Sequence, residues 1–257
     1  VATALLAINP WHLHYSRAAL QVSIVLFLFL LGGLFLYKAF INKTAGLFLL
    51  GTICFILSLY SYNLTRLLAP LIFLLFVFLY RDRLRQIRRG EVVLAAIVAI
   101  ISLFPFLATL AQSGGVSSAG GTLIFSSKAL EAQLLELRSY FINLPPIFTK
   151  LFFNIPMLTF WQYIIHVTSY FSVPFLFISG SSHGNHCIGN VGQFYLFELP
   201  LIIIGTVVAV REKSGWARLF LLWAALVILT AAFTREAPHA TRSFFLLVPL
   251  EVFSAIG

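Results

Sequence analysis

Long apolar runs separated by short polar breaks dominate this chain. The runs lie at 1–8, 18–37, 45–62, 67–80, 91–110, 196–210, 218–233 and 243–257. A helix needs about 20 apolar residues to cross the hydrocarbon core of a bilayer, and shorter runs fit inside a bundle. The pattern predicts an all-α fold, a polytopic membrane helix bundle of about eight segments. Its first and last segments are cut by the sequence ends. Val1 opens the chain without a starting Met, and "SFFLLVPLEVFSAIG" stops inside an apolar stretch. Residues 1–257 are therefore expected to be an internal fragment of one multi-spanning domain. The first run lacks the charged start and cleavage pattern of a signal peptide.

The stretch 111–195 breaks the pattern. "QSGGVSSAGG" reads as a flexible linker, and "KALEAQLLELRSYF" has apolar residues at helical spacing with charges opposite. Such a helix is expected to lie on the membrane surface. "LPPIF" ends it, and Pro156 and Pro174 interrupt the aromatic stretch 151–178. This stretch reads as an interfacial or re-entrant pair of short helices. The whole of 111–195 is thus expected to be an extracytoplasmic loop region with amphipathic helices. A full span within 151–178 would reverse the side of everything after it.

Composition agrees with a lipid solvent. The chain is 60% hydrophobic and 10% charged, whereas a soluble domain is about a quarter charged. The formal charge of +9 then speaks to topology rather than to a polyanionic partner. No solvated basic face with interleaved aromatics appears, so no nucleic acid is expected. "YKAFINK", "RDRLRQIRRG" and "REKSGWAR" carry most of the loop cations. Alternating the segments puts all three on one side, read as cytoplasmic. The breaks at 9–17, 62–66, 111–195 and 234–242 then share the outer side.

The outer breaks hold the chemistry. His12, His14, His183, His186 and His239 lie there, with Arg17, Arg66, Arg235 and Arg242. A lone interfacial arginine commonly anchors a helix end to headgroups. Four in one layer also suit an anion site, because the guanidinium fork matches phosphate oxygens and keeps its charge. Tyr15, Tyr60 and Tyr62 fit an aromatic belt taken singly. "SSHGNHC" offers three possible ligands, His183, His186 and Cys187, within five residues but no second pair at zinc spacing, so no metal is assigned and a covering loop is the expectation. Cys54 in an apolar run and Cys187 in a polar loop are not expected to pair. Asp82 is the only Asp and sits among cytoplasmic arginines; Glu236 is the one carboxylate clearly in a short outer break. Glu198 and Glu251 fall at or inside membrane segments, where an acid either functions or satisfies a neighbouring helix. In "NPWHLHYSRAAL", Pro10 is expected to turn the chain and Trp11 to sit at headgroup depth. Arg17 is expected at the N-terminal end of the following helix, whose dipole also favours an anion.

Four stretches carry a family resemblance. They are "INPWHLHYSRAALQV", "LSLYSYNLTRLLAPL", "FNIPM" with "SYFSVPFLFISGSSHGNHCIGNVGQFYLFELPLIIIG", and "TREAPHATRSFFLLVPL". In this order they resemble the polytopic glycosyltransferases of the GT-C class, in the branch related to protein O-mannosyltransferases and aminoarabinose transferases. The resemblance implies inverting transfer of a sugar from a polyprenyl-phosphate donor to a protein, lipid or glycan acceptor, on the extracytoplasmic face of a prokaryotic plasma membrane. It implies Arg17, Arg66 and Arg242 at the donor phosphate, supported by His12, His14, Tyr62, His186 and His239. The family's catalytic carboxylate is expected upstream of Val1, so the fragment alone is expected to be inactive. No cofactor is implied, and a divalent cation stays open; the partners are donor, acceptor and membrane lipids. A lipid-linked glycan flippase or another transporter, or an O-antigen-type polymerase or ligase, would use similar outer arginines and histidines.

The topology has a direct test in full-length protein carrying Cys187→Ser. An impermeant thiol reagent is expected to label Ser16→Cys in intact cells, and Arg83→Cys only after permeabilisation. The reverse order sinks the assignment.

Overall fold

The computed structural model describes residues 1–18, 20–112, 124, 128–141, 145–181, 189 and 191–257. Among them every regular element is helical. The first half runs through α1 (Ala2–Ile8), α2 (Pro10–Arg17), α3 (Gln21–Asn42), α4 (Ala45–Ser61), α5 (Thr65–Leu79), α6 (Arg81–Leu84) and α7 (Arg89–Gln112). The second half has α8 (Lys128–Tyr140), α9 (Pro146–Phe152), α10 (Ile155–Ser169) and one π-helical turn (Pro174–Ile178). It then has α11 (Glu198–Glu212), α12 (Gly215–Ala232), α13 (Ala240–Ser243), a 3₁₀ turn (Phe244–Leu246) and α14 (Leu247–Ile256).

Each apolar run becomes a helix, with shifted ends. The run at 18–37 becomes α3, which continues to Asn42 until Lys43 adopts a left-handed φ of 55° and stops it. Polar residues do not end a helix without such a stop. Among the described residues, α3 and α12 are long and apolar enough to cross a membrane; α4 and α5 are apolar but have 17 and 15 residues.

Small residues let the backbones meet. A Cβ at Gly51 of α4 would lie 2.9 Å from the Leu36 side chain and 3.1 Å from the Gly32 carbonyl of α3. A Cβ at Gly205 of α11 would lie 1.9 Å from the Phe253 carbonyl of α14. Close approach of this kind gains van der Waals packing between the helices. Between these pairs, Phe29 sits fully buried with its ring centroid 4.7 Å from Phe245, 5.2 Å from Phe55 and 6.2 Å from Trp223.

The packing sorts the breaks into two ends. At a basic end, Tyr80 stacks on Phe40 at 5.4 Å and meets Tyr37 edge-on at 6.0 Å, and its hydroxyl lies beside Gly215. That joins the 43–44, 81–88 and 213–214 breaks. At the opposite, histidine end, Tyr195 Oη donates to the Ile8 carbonyl at 3.0 Å, and the His239 N–H donates to Tyr170 Oη at 3.4 Å. The chain thus returns after 113–197 to the end where α7 finishes.

The region after α7 differs from the expectation in two ways. The amphipathic α8 does not rest its apolar face on lipid alone. Leu130 and Leu134 pack against Leu158 of α10, while Gln162 donates to Gln133 at 2.9 Å and Arg138 donates to the Phe153 carbonyl at 2.9 and 2.7 Å. An antiparallel helical pair results, because a partner with a matching apolar stripe covers α8. Pro156 does not interrupt a helix; it opens α10, where Asn154 caps by accepting the Met157 N–H at 2.8 Å. The 15 residues of α10 fall short of the about 20 needed for a span. It docks on the last turn of α12, with Tyr163 Oη donating to the Leu229 carbonyl at 3.1 Å and His166 Nδ1 3.2 Å from the Ala232 carbonyl.

Gly205→Val is expected to destabilise the protein by about 1–3 kcal/mol through overpacking. Gly46→Val, with nothing within 4 Å of the added Cβ, is expected to be near neutral. Thermal unfolding in detergent separates them, and equal midpoints would refute the contact between α11 and α14.

Candidate functional site

The stretch from Asn9 to Arg17, expected to be a loop, is the helix α2. The Asn9 side chain caps it by accepting the His12 N–H at 3.1 Å, and Pro10 occupies the first turn. Asn followed by Pro is an N-cap followed by N1, and that signal was present in the sequence. The same Asn9 donates from Nδ2 to Glu251 Oε1 at 2.8 Å, across to α14.

Helical spacing then gives α2 two faces. Trp11 and Tyr15, one turn apart, are wholly buried. Trp11 faces the protein interior: its ring lies 5.6–6.3 Å from Phe244, Phe194 and Phe175, all edge-on. A cage of aromatic edges surrounds the indole. Tyr15 stacks on Phe244 at 4.8 Å, and its hydroxyl shares a 3.0 Å hydrogen bond with Thr241 Oγ1. His14 and Arg17 lie on the other face. With Pro10, Leu13, Ala18 and Tyr195 they line an open cleft of about 580 Å³. His12 is half-buried, and burial pushes its pKa down, which favours the neutral ring.

Arg17 also departs from expectation. It ends α2 rather than opening α3, which starts at Gln21. The dipole at that point is the negative end of α2, which stabilises the guanidinium and does nothing for an anion. Any attraction for an anion there comes from the side chain itself.

A second polar group follows Thr241, which the Tyr15 hydroxyl reaches from the buried face of α2. Arg242, with its side chain 14% exposed, donates from Nη2 to Glu236 Oε2 at 3.2 Å and from Nη1 to the Glu236 carbonyl at 3.1 Å. His239 Nε2 stands 3.9 Å from the same carboxylate oxygen. The phenols of Tyr62 and Tyr170 lie within the field of Arg242. Burial pushes the Tyr62 pKa up, opposed by Arg242. Burial raises Tyr170 to about 12, opposed by the His239 N–H, Arg242 and Thr234. Both therefore remain protonated donors near neutral pH. Arg66, exposed in the first turn of α5, follows Tyr62 by one helical turn.

The structure thus brings Tyr62, His239 and Arg242 into one group and sets His14 and Arg17 on the open face of α2, with His12 between. The Tyr15–Thr241 bond joins the two groups. Tyr170 and the Glu236–Arg242 pair were not singled out in the sequence; "EAPHATR" carries both partners, but their meeting depends on how the loop folds back. His186, with His183 and Cys187, lies outside the described residues. Among the described residues, no three His, Cys, Asp or Glu side chains gather as a metal set.

The two buried acids hold helices together. Glu198 accepts the Tyr195 N–H at 3.1 Å, reaching back over the start of its own helix, and accepts Ser254 Oγ at 3.3 Å. Glu251 accepts from Asn9. These contacts tie α2 and α11 to α14.

No protein-family model, no curated protein and no solved structure matches this chain.

Tyr15→Phe and Thr241→Val are each expected to cost about 1 kcal/mol of stability, the net worth of one buried hydrogen bond. The double variant should cost less than the sum, because both remove the same bond. Strict additivity in detergent unfolding would mean that the bond contributes nothing.

Proposed function

We propose that this chain is part of a polytopic membrane enzyme that transfers a sugar from a polyprenyl-phosphate donor to a protein, lipid or glycan acceptor. The transfer takes place at the histidine end of the bundle, extracytoplasmic in a prokaryotic plasma membrane, with the basic end facing the cytoplasm. The mechanism is inverting, of the GT-C type. The observation that carries the reading is the open face of α2. There His14 and Arg17 line a cleft with Tyr195, while the buried face of the same helix is tied through Tyr15 and Thr241 to the group of Tyr62, Tyr170, Glu236, His239 and Arg242. Apolar helices ending in such a polar layer suit a lipid tail in the bilayer with its phosphate at the surface.

The geometry supports the following roles. The lipid phosphate is the leaving group, so negative charge builds on its bridging oxygen as the sugar departs. A guanidinium held there stabilises that charge without a proton transfer. Arg17 is exposed and open to a ligand from the cleft. Arg242 is already set by Glu236, so it orients the loop and lends its field. Tyr62 and Tyr170, kept protonated, can donate to sugar hydroxyls. His14 can donate to a phosphate oxygen, and the neutral His12 serves through hydrogen bonding. Arg66 extends the positive layer.

Purified full-length protein in vesicles, given a labelled polyprenyl-phosphate sugar, tests this. Arg17→Ala is expected to lose about 1.5–3 kcal/mol of transition-state binding, the worth of a hydrogen bond to a charged group. Arg17→Lys should fail nearly as badly, because a point charge cannot reproduce the paired contact. Near-normal turnover in both variants would make Arg17 a helix anchor and move the phosphate site elsewhere.

A further inference from the structure

The basic end has a cleft of its own, unrelated to the histidine-end groups. It holds about 640 Å³, within the roughly 300–1,000 Å³ range of small-molecule sites. One wall is a stripe of α3 at helical spacing, Phe29, Gly33, Tyr37 and Ile41, and the facing wall includes Phe220 and Trp223 of α12. Its lining is almost wholly apolar. Gly33 contributes no side chain, which keeps the groove deep beside Phe76.

Length and charge identify the occupant. From Phe29 to Ile41 the helix rises about 18 Å at 1.5 Å per residue, close to half of the ~30 Å hydrocarbon core. The groove therefore covers one leaflet, from the bilayer middle to the basic-end surface. Arg83 lines the mouth and is exposed. Arg218 is exposed one turn into α12 and acts electrostatically on Tyr80, which also lines the cleft. Lys213 is exposed just before α12. Three acids lie at this end, Asp82 beside Arg83, Glu91, and Glu212, which accepts the Trp216 indole N–H at 3.2 Å; the cations Arg81, Arg83, Arg85, Arg88, Arg89, Lys213 and Arg218 outnumber them. An apolar groove one leaflet long with cations at its surface end complements a lipid tail with an anionic head. A second copy of the chain fits poorly, because in the same membrane it would bring its own basic end against Arg83.

We infer that this cleft binds one acyl chain of an anionic phospholipid from the basic-end leaflet, with the lipid phosphate at Arg83. The inference rests on the membrane topology proposed above but not on the transfer chemistry. A protein inactive in donor turnover still reports on it.

The experiment uses full-length protein in phosphatidylcholine vesicles doped with phosphatidylglycerol that carries a photoactivatable acyl chain. Adducts mapped by mass spectrometry are expected to concentrate on Leu34 and Phe220. Excess phosphatidylglycerol should compete them away, and extra phosphatidylcholine should not. Arg83→Gln should reduce them about five-fold, as expected for one basic side chain at an anionic surface. Leu34→Trp, which fills the groove from an exposed position, should abolish the Phe220 adduct. Labelling spread equally onto the exposed Leu50 and Val93 would overturn the inference. So would equal competition by phosphatidylcholine, unchanged labelling in Arg83→Gln, or protein–protein products through Leu34.

Discussion

The histidine end depends on one amide. Asn9 closes the N-terminus of α2 with its oxygen and donates with its nitrogen to Oε1 of the buried Glu251. A buried carboxylate without a donor is costly, whether it stays charged or takes up a proton. The bond therefore sets both where α2 starts and how it lies against α14. Once that is set, the faces of α2 follow by helical spacing. Trp11 enters the cage of Phe175, Phe194 and Phe244, Tyr15 reaches Thr241, and His14 and Arg17 turn to the cleft.

Two of the arginines at this end, Arg17 and Arg242, stand in different electrostatic situations. Arg242 is mostly covered and already paired with Glu236, so its charge is largely spoken for. Removing Glu236 would leave a partly buried cation to find new partners. Arg17 is exposed at the C-terminus of α2, where water screens it and the helix dipole welcomes it. Its attraction for an anion grows only when a ligand displaces that water. A loosely held cation facing a cleft and a fixed one behind it make a suitable division between binding and positioning.

The opposite end works by a different principle. Its cations lie on the rim of an apolar groove rather than within a hydrogen-bonded group, so long-range charge and surface shape matter more there than individual bonds. The stacked Phe40, Tyr80 and Phe76 rings form a rigid wall beside it. Segregating polar hydrogen-bonded loops to one end and cationic ones to the other is what an asymmetric bilayer environment favours.

Much of the helical content was legible in the sequence, because an apolar run long enough to need a nonaqueous surrounding must satisfy its own backbone. Local signals also carry the Asn9–Pro10 helix start, in the N-cap followed by proline, and the amphipathic stripe of α8. The grouping of basic breaks at one end and histidine breaks at the other followed from alternation alone. Tertiary structure decided the rest. Asn9 and Glu251 are 242 residues apart, and Tyr15 and Thr241 are 226 apart. No local pattern encodes such pairs; they arise when glycine contacts such as Gly205 against Phe253 bring helices to a fixed register. That register determines which side of α2 is covered, and so whether Trp11 meets water or a cage, and whether Arg17 faces a cleft or a neighbour.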